Sequence, residues 1–344
     1  MLHPHLTYLE TILVGLLQGV TELFPVSSLG HSILIPALIG GNWARDLNMS
    51  AKDSPYLTFL VAVHVATAVA LVVFFRREWM RIAIGLVTSI RDRRICTPDQ
   101  RLAWLLIAAT IPVGVAGLVL EHAVRTVLGK PAPAAIFLIL NGVVLAGVER
   151  LRARVTPKPA ASYTGPVLLG TDTNTDGSAV AAYAATGYQG AHSAASTSGG
   201  VSAMHSEAAD AAASDQRLSG LSWKHAILIG AAQILALLPG ISRSGSTIAA
   251  GLLRGLNHED AARFAFLLAT PVIFAAGVLK LPELAGPAGH GILGPVAAGS
   301  VAAGIAAYIS LKFLTRYFQT RTLNPFALYC VAAGTVSLAV ITLT

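Results

Sequence analysis

The chain contains six apolar stretches, each close to the length, about 20 residues, that crosses a lipid bilayer as a helix. They lie near residues 57–75, 102–120, 133–149, 262–280, 292–313 and 325–343. Only 12% of the 344 residues are charged, whereas about 25% are charged in soluble domains. These features predict an all-α polytopic membrane protein and exclude a soluble globular enzyme.

Two further apolar segments, near 9–39 and 224–253, are interrupted by Pro, Gly and Ser. Each is long enough for two short helices joined by a loop, and such a loop at membrane depth is tolerated only inside protein or beside a wet cavity. We therefore predict two re-entrant helical hairpins. Each hairpin precedes three spans, and this order predicts an inverted repeat. The likeness of Pro25-Val-Ser-Ser28 to Pro239-Gly-Ile-Ser242 agrees with a repeat.

Basic residues cluster between the apolar stretches, as is typical of cytoplasmic loops. The net charge of +7 therefore does not indicate binding to nucleic acid. We interpret the segment after the first span as an arginine-rich cytoplasmic loop, which places both chain termini outside. The clusters are Arg76, Arg77, Arg81, Arg91, Arg93, Arg94 and Arg101; Arg150, Arg152 and Arg154; and Lys312, Arg316 and Arg321.

Residues 155–220 have a different composition from the rest of the chain, because they are rich in Ala, Ser, Thr and Gly and show little periodicity. Such a composition buries too little apolar surface to order itself. We predict a disordered cytoplasmic linker here, which joins a first repeat half, 1–154, to a second, 221–344.

The run PGISRSGST, residues 239–247, places Arg243 among hydroxyl residues before a helical pattern resumes. A guanidinium matches phosphate oxygens in a bidentate manner, and a helix N-terminus with capping hydroxyls binds anions. The run therefore predicts a phosphate site. The alternative is that Arg243 pairs with a structural carboxylate inside the bundle. The flanking hydroxyls are Ser242, Ser244, Ser246 and Thr247.

The run QGVTELFPVSSLGH, residues 18–31, carries Gln18 and Glu22 at positions i and i+4, on one face of a helix. An ionisable residue at membrane depth usually marks a functional site. Glu22 is expected to hold a divalent cation or to act as a base. The alternative for both residues is a polar contact between helices.

Ser28 and His31 are three residues apart and face the same side if a helix begins after Pro25. A Ser beside a His offers a nucleophile and its base, or a phosphate ligand and a general acid. Ser27 is either a further phosphate ligand or the cap of that helix. His64, within the first span, is interpreted as a pore or packing residue outside the site.

The two runs resemble the two signatures of the undecaprenyl-diphosphate phosphatase (bacitracin-resistance) family. The first signature is Glu or Gln followed after three residues by Glu, and the second is Pro-Gly-x-Ser-Arg-Ser-x-x-Thr. The order of the runs, the six spans and the sequence FAFLLATP after the second run are also similar to that family. The likeness covers both hydrophobic halves, and the linker falls outside it. Many members carry Glu where this chain has Gln18.

The resemblance implies an enzyme of the bacterial plasma (inner) membrane that removes the terminal phosphate of undecaprenyl diphosphate. This reaction recycles the lipid carrier for peptidoglycan synthesis. The resemblance also implies a divalent cation, Mg²⁺ or Ca²⁺, and an active site that faces the extracytoplasmic side. Its functional residues carry over to Glu22, Ser28, His31 and Arg243 and to Ser242, Ser244 and Thr247, with Gln18 as a second metal ligand.

The expected partners are the polyprenyl diphosphate and membrane lipids, and the oligomeric state stays open, with a homodimer as one option. Ser28 is the expected nucleophile with His31 as its base or acid, and direct attack by His31 is the alternative. The competing functional class is an inverted-repeat secondary transporter or lipid-phosphate flippase, because inverted repeats with broken helices are typical of transporters.

Overall fold

The computed structural model describes residues 6–47, 55–123, 128–155, 212–280 and 291–343, and within these ranges the chain forms helices and no strand. We number the α-helices in chain order. They are α1 (Tyr8–Thr21), α2 (Ser28–Ile39), α3 (Gly41–Asp46), α4 (Pro55–Phe74), α5 (Arg76–Asp92), α6 (Pro98–Ala123), α7 (Pro131–Val155), α8 (Ala212–Ser219), α9 (Trp223–Ala231), α10 (Arg243–Leu253), α11 (His258–Lys280), α12 (Leu293–Thr320) and α13 (Asn324–Leu343), with a 3-10 helix at Ala232–Leu237.

The six predicted spans are confirmed as α4, α6, α7, α11, α12 and α13, each long and apolar enough to cross a membrane. Many of their large apolar side chains are exposed, for example Leu118, Val119 and Leu328 at 70–72%. Such exposure is compatible with a lipid environment, where the outer surface of a helix is not hydrated. The chain is therefore a multi-pass membrane protein.

The two broken apolar segments form short helices. The first segment gives α1 with 14 residues and α2 with 12. The second gives α9, the 3-10 helix and α10. The break before α10 requires Gly240, which has a φ of 111°, a value that L side chains rarely adopt. A Cβ at Gly240 would also overlap the backbone oxygen of Ala134 in α7.

The short helices pack closely on spans through small residues. α1 packs along α12, and a Cβ at Gly15 would overlap the backbone of Gly299. α9 packs along α6, and a Cβ at Gly230 would overlap the backbone of Ala109. Small residues allow this close approach of helix backbones inside membranes. These contacts fix where the loops that follow α1 and α9 lie.

The arginine-rich segment that follows the first span is not a loop, as predicted, but the helix α5. Its buried residues, Ile82, Gly85 and Ser89, lie on one face at spacings of three and four, and α5 packs against α6 through this face. Apolar side chains on other faces are exposed, among them Met80, Ile84, Val87 and Ile90. The prediction of a loop considered only the charged residues and therefore missed this apolar periodicity.

The prediction that residues 155–220 form a disordered linker needs correction at its end, because residues 212–219 form α8. Residues 156–211 lie outside the described residues. The side chain of Asp215 in α8 contacts Arg263 of α11 at 2.5 Å and Arg81 of α5 at 2.8 Å. Ion pairs therefore attach α8 to both halves of the chain.

Glu78 of α5 joins the same ion-pair network, and its Oε2 lies 2.8 Å from Nη2 of Arg263. Burial raises the pKa of the Glu78 carboxyl, although the neighbouring Arg263 acts in the opposite direction. A third ion pair on α8 joins Arg217 to the buried Asp260 of α11. α8 is thus held by three carboxylate–guanidinium contacts.

Candidate active site

Glu22 is the centre of a buried polar cluster at the end of α1. Its side chain is 6% exposed. Oε1 accepts a hydrogen bond of 2.6 Å from Nη2 of Arg243. Oε2 accepts hydrogen bonds from Ser28 Oγ at 2.5 Å and from Gln18 Nε2 at 2.9 Å. The structure therefore brings the two sequence runs together at one carboxylate, although 221 residues separate Glu22 from Arg243.

His64 also reaches this carboxylate, so its prediction as a residue outside the site is wrong. Nε2 of His64 lies 3.2 Å from Glu22 Oε2, and Nδ1 lies 2.6 Å from the carbonyl oxygen of Leu60 in the preceding turn of α4. The sequence held one signal: within the span α4, His64 is the only residue with an ionisable side chain apart from Tyr56.

Asn141, in the span α7, ties together the loops that precede α2 and α10, and sequence reasoning missed it. Its Oδ1 accepts a hydrogen bond from the backbone N–H of Ser242 at 3.0 Å, and its Nδ2 donates to the carbonyl of Pro25 at 3.0 Å. A single amide thus fixes the loops before Ser28 and before Arg243 relative to each other. An Asn in an apolar helix was the available signal.

Ser27 links the two loops through a second set of contacts. Its backbone has a φ of 69°, which is strained for a residue with a side chain. Its Oγ caps α2 by accepting from the N–H of Gly30 at 3.2 Å, and it also accepts from the N–H of Gly240 at 3.2 Å. Both alternatives for Ser27 were open, and in this structure its hydroxyl caps a helix.

His31 makes no hydrogen bond with Ser28 among the described residues, so the expected nucleophile–base pair is not formed in this structure. Nδ1 of His31 lies 2.7 Å from the carbonyl oxygen of Ser27, and Nε2 lies 2.8 Å from the hydroxyl of Tyr329 in α13. The ring also stacks on Tyr329, with 5.7 Å between centroids. Ser28 and His31 both lie in the first turn of α2, but their polar atoms have different partners.

The hydroxyls around Arg243 bind backbone N–H and C=O groups in this structure. Ser242 Oγ caps α10 by accepting from the N–H of Gly245 at 3.1 Å. Ser244 Oγ donates to the carbonyl of Phe24 at 3.1 Å, and Thr247 Oγ1 donates to the carbonyl of Arg243 itself at 2.8 Å. These contacts place Arg243 as the first residue of α10, where its side chain faces Glu22.

A cavity of about 150 Å³ adjoins this cluster. Its polar wall includes Glu22, Ser28, Ser242 and Arg243, so these four predicted residues share one cavity. Its apolar wall includes Val113 and Val272, which follow the helix-interior residues Pro112 and Pro271 in α6 and α11. The remaining lining residues are Thr21, Ser27, Leu29, Gln233, Ala236, Leu237 and Ile241.

The residues around Glu22 are compatible with a divalent cation that is shared with a phosphate substrate. In the part of the chain that the structure describes, no three His, Cys, Asp or Glu side chains form a metal site. However, Oε1 of the buried Gln18 has no hydrogen-bond partner there. Mg²⁺ is usually held by one or two carboxylates together with substrate phosphates rather than by a full set of protein ligands. Gln18 and Glu22 fit this limited role.

Six spans, two pairs of shorter helices and a buried Arg–Glu–Ser cluster beside a cavity define an integral membrane protein with a buried polar centre. The family described as bacitracin resistance protein BacA matches residues 11–172 and 180–336. The chain therefore belongs to this family.

Curated relatives cover nearly the whole chain. The chain is 56% identical to an undecaprenyl-diphosphatase of Mycolicibacterium paratuberculosis over 97% of both sequences. It is 52% identical to undecaprenyl-diphosphatase 1 of Frankia casuarinae, with 95% of this chain and 96% of the relative covered. A more distant relative, undecaprenyl-diphosphatase 2 of Chromobacterium violaceum, is 38% identical over 96% of this chain and 97% of the relative.

Proposed function

We propose that this protein is an undecaprenyl-diphosphatase, which hydrolyses undecaprenyl diphosphate to undecaprenyl phosphate and inorganic phosphate. In the bacterial plasma membrane this reaction recycles the lipid carrier for cell-wall synthesis and confers resistance to bacitracin. The observation that carries the proposal is the cluster of Arg243, Glu22 and Ser28 beside one cavity. Relatives with this name at 52–56% identity support it.

Arg243 is the proposed ligand of the terminal phosphate. Its guanidinium donates to Glu22 in this structure, and phosphate oxygens accept from the same donors. The N-terminus of α10 begins at Arg243 and adds the positive end of a helix dipole. Ser242, Ser244 and Thr247 support the position of this helix end through backbone contacts, and their hydroxyls are the proposed further phosphate ligands together with Ser27.

Ser28 is the proposed nucleophile. Its hydroxyl donates to Glu22 at 2.5 Å, and this contact favours Glu22 rather than His31 as the acceptor of its proton. In the first step a bond forms between Ser28 Oγ and the terminal phosphorus, while the proton of Oγ passes to Glu22. The bond from this phosphorus to the bridging oxygen breaks, and its electron pair leaves with the lipid phosphate, which takes the proton from Glu22 and so restores the carboxylate. His31 would hold the loop through Ser27 and Tyr329.

A divalent cation, Mg²⁺ or Ca²⁺, is proposed as the cofactor, and Glu22 and Gln18 would hold it. Such an ion neutralises charge on the phosphate oxygens during phosphoryl transfer. The support from this chain is the unpartnered Oε1 of the buried Gln18, whose Nε2 donates to Glu22.

The broken segments are proposed to be re-entrant hairpins of an inverted repeat. If the two halves are equivalent, α1 corresponds to α9, α2 to α10, and the spans α4, α6 and α7 to α11, α12 and α13. The contact of α1 with α12 then corresponds to that of α9 with α6. Likewise, the contact of α4 with α12 corresponds to that of α11 with α6. The closely packed Gly15 then corresponds to Gly230. These paired contacts support the repeat.

The active site is proposed to face the extracytoplasmic side. The cavity-lining Val113 is 15 residues from the start of α6 and 10 from its end. At 1.5 Å per residue, it is about 22 Å from the start and about 15 Å from the end. The arginine-rich α5 precedes the start of α6, which favours a cytoplasmic start. A cavity nearer the other end supports access from outside.

The decisive experiment measures inorganic phosphate released from undecaprenyl diphosphate by the purified protein in detergent. We expect multiple turnovers by the wild type and a loss of about 100- to 1,000-fold in Arg243→Ala, because one anion donor of an active site is commonly worth this much. Arg254→Ala, a change of the same kind at the end of α10, is the matched control. A secondary transporter would release no phosphate without a membrane, and this result would refute the proposal.

A further inference from the structure

Gln233 lies on the wall of the cavity that Glu22, Ser28 and Arg243 also line. It belongs to the 3-10 helix that continues α9, and the residue is 1% exposed. Its Nε2 makes one long contact of 3.4 Å with the carbonyl of Gly230. Its Oε1 has no hydrogen-bond partner among the residues that the structure describes.

A buried amide oxygen without a partner is costly, so buried polar groups nearly always have partners. The contact of Nε2 with a carbonyl fixes the orientation of the amide, because an exchange of its O and N atoms would place two acceptors against each other. Oε1 therefore presents an acceptor. Its natural partner is a donor inside the cavity.

The chemistry of the cavity identifies this donor. A phosphate dianion offers oxygen acceptors, and Arg243 already provides donors for it, so Oε1 does not match a phosphate oxygen. Water is a donor, and the cavity of about 150 Å³ has room for several water molecules. The proposed reaction consumes one water, and Ser28 lines the same cavity. A glutamine that orients an attacking water is a recurrent part of phosphoryl-transfer sites.

We propose that Gln233 is a further catalytic residue, whose Oε1 accepts a hydrogen bond from the hydrolytic water and aims it at the phosphoryl group on Ser28. This inference rests on the proposed function. In this second step the water oxygen bonds to phosphorus and the bond from phosphorus to Ser28 Oγ breaks. The electron pair of that bond goes to Oγ, which gains one proton of the water, and the other proton stays on the inorganic phosphate.

The test measures the two products separately in rapid-mixing experiments with purified protein and substrate labelled at the terminal phosphate. Gln233→Met keeps the length of the side chain and removes the acceptor, and Gln233→Leu is the second apolar variant. Gln233→Glu retains an acceptor oxygen. Gln319→Met, at an exposed glutamine of α12, is the matched control.

For Gln233→Met we expect steady release of inorganic phosphate to fall about 10- to 100-fold, the effect of losing one hydrogen bond to a reacting atom. The first turnover should still release lipid phosphate in an amount equal to the enzyme, while the label stays on Ser28. Gln233→Glu should accumulate less labelled protein than Gln233→Met. The temperature of unfolding of Gln233→Met should equal or exceed that of the wild type, because an unpartnered acceptor is removed.

Two results would overturn the assignment of Gln233. One is wild-type phosphate release by both apolar variants. The other is an equal slowing of both products without labelled protein, which would make Gln233 a substrate ligand or a packing residue. These results leave the proposed function intact, since the wild type would still turn over. A wild type that releases no phosphate would instead remove the proposed function itself.

Discussion

Ser28 Oγ donates a hydrogen bond of 2.5 Å to Glu22 Oε2 across the break between α1 and α2. The same carboxylate accepts from Arg243, which comes from the other half of the chain. A hydroxyl with such a partner has a proton acceptor in place before substrate binds, and the guanidinium is close enough to hold the group that the hydroxyl attacks. This pairing distinguishes the roles of Ser28 and His31.

Ser28→Ala should lower phosphate release at least about 1,000-fold, because removal of a nucleophile leaves only binding and charge stabilisation. His31→Gln should retain far more activity, since His31 contacts Ser27 and Tyr329 rather than the reacting hydroxyl. Phosphate release measures both variants, with Ser32→Ala as the control on α2. Labelled phosphate found on His31, together with an active Ser28→Ala protein, would contradict this division of roles.

His64→Leu should lower kcat by about 10- to 100-fold with a smaller change in KM, because Glu22 loses one of its donors. His64→Gln carries an amide N–H at a similar reach and should recover part of the loss. Steady-state kinetics of phosphate release decide the question, and His225→Leu at the start of α9 is the control. Equal kinetics of His64→Leu and wild type would show that the contact with Glu22 is passive.

Gln18→Glu should strengthen the binding of a divalent cation, because a second carboxylate replaces a neutral amide beside Glu22. We expect the concentration of Mg²⁺ or Ca²⁺ for half-maximal activity to fall about 10-fold, in line with tighter binding at sites with more charged ligands. Calorimetric titration of the metal into the protein gives a readout that does not depend on turnover. An unchanged affinity in both measurements would remove Gln18 from the metal site.

Asn141→Ala should reduce both stability and activity. The N–H of Ser242 and the carbonyl of Pro25 would each lose a buried partner, and such a loss commonly costs about 1–3 kcal/mol per group. Asn141→Asp keeps the acceptor for Ser242 but adds a carboxyl group at membrane depth, so its unfolding temperature should also lie below that of the wild type. Thermal unfolding in detergent measures the series. An Asn141→Ala protein with the unfolding temperature and activity of the wild type would contradict the proposed role of Asn141.

The sequence predicted the spans well because span length and hydropathy are local properties. It also predicted that Arg243 and Glu22 share a site, since each was a costly charge in an apolar segment. It did not predict the contact of His64 with Glu22, because only packing of α4 on the α1–α2 break brings them together. The sequence did not predict the helix α5 for a similar reason. Its buried face is the one that packs against α6, and the sequence of α5 alone does not show which face that is.

Asp215 of α8 contacts Arg81 in one half of the chain and Arg263 in the other. These ion pairs hold α8 against helices of both halves, and they do not depend on a covalent link between residue 155 and α8. The halves should therefore assemble as two separately translated polypeptides, 1–155 and 212–344, and such complementation in living cells would show that the intervening chain is dispensable for building the catalytic centre.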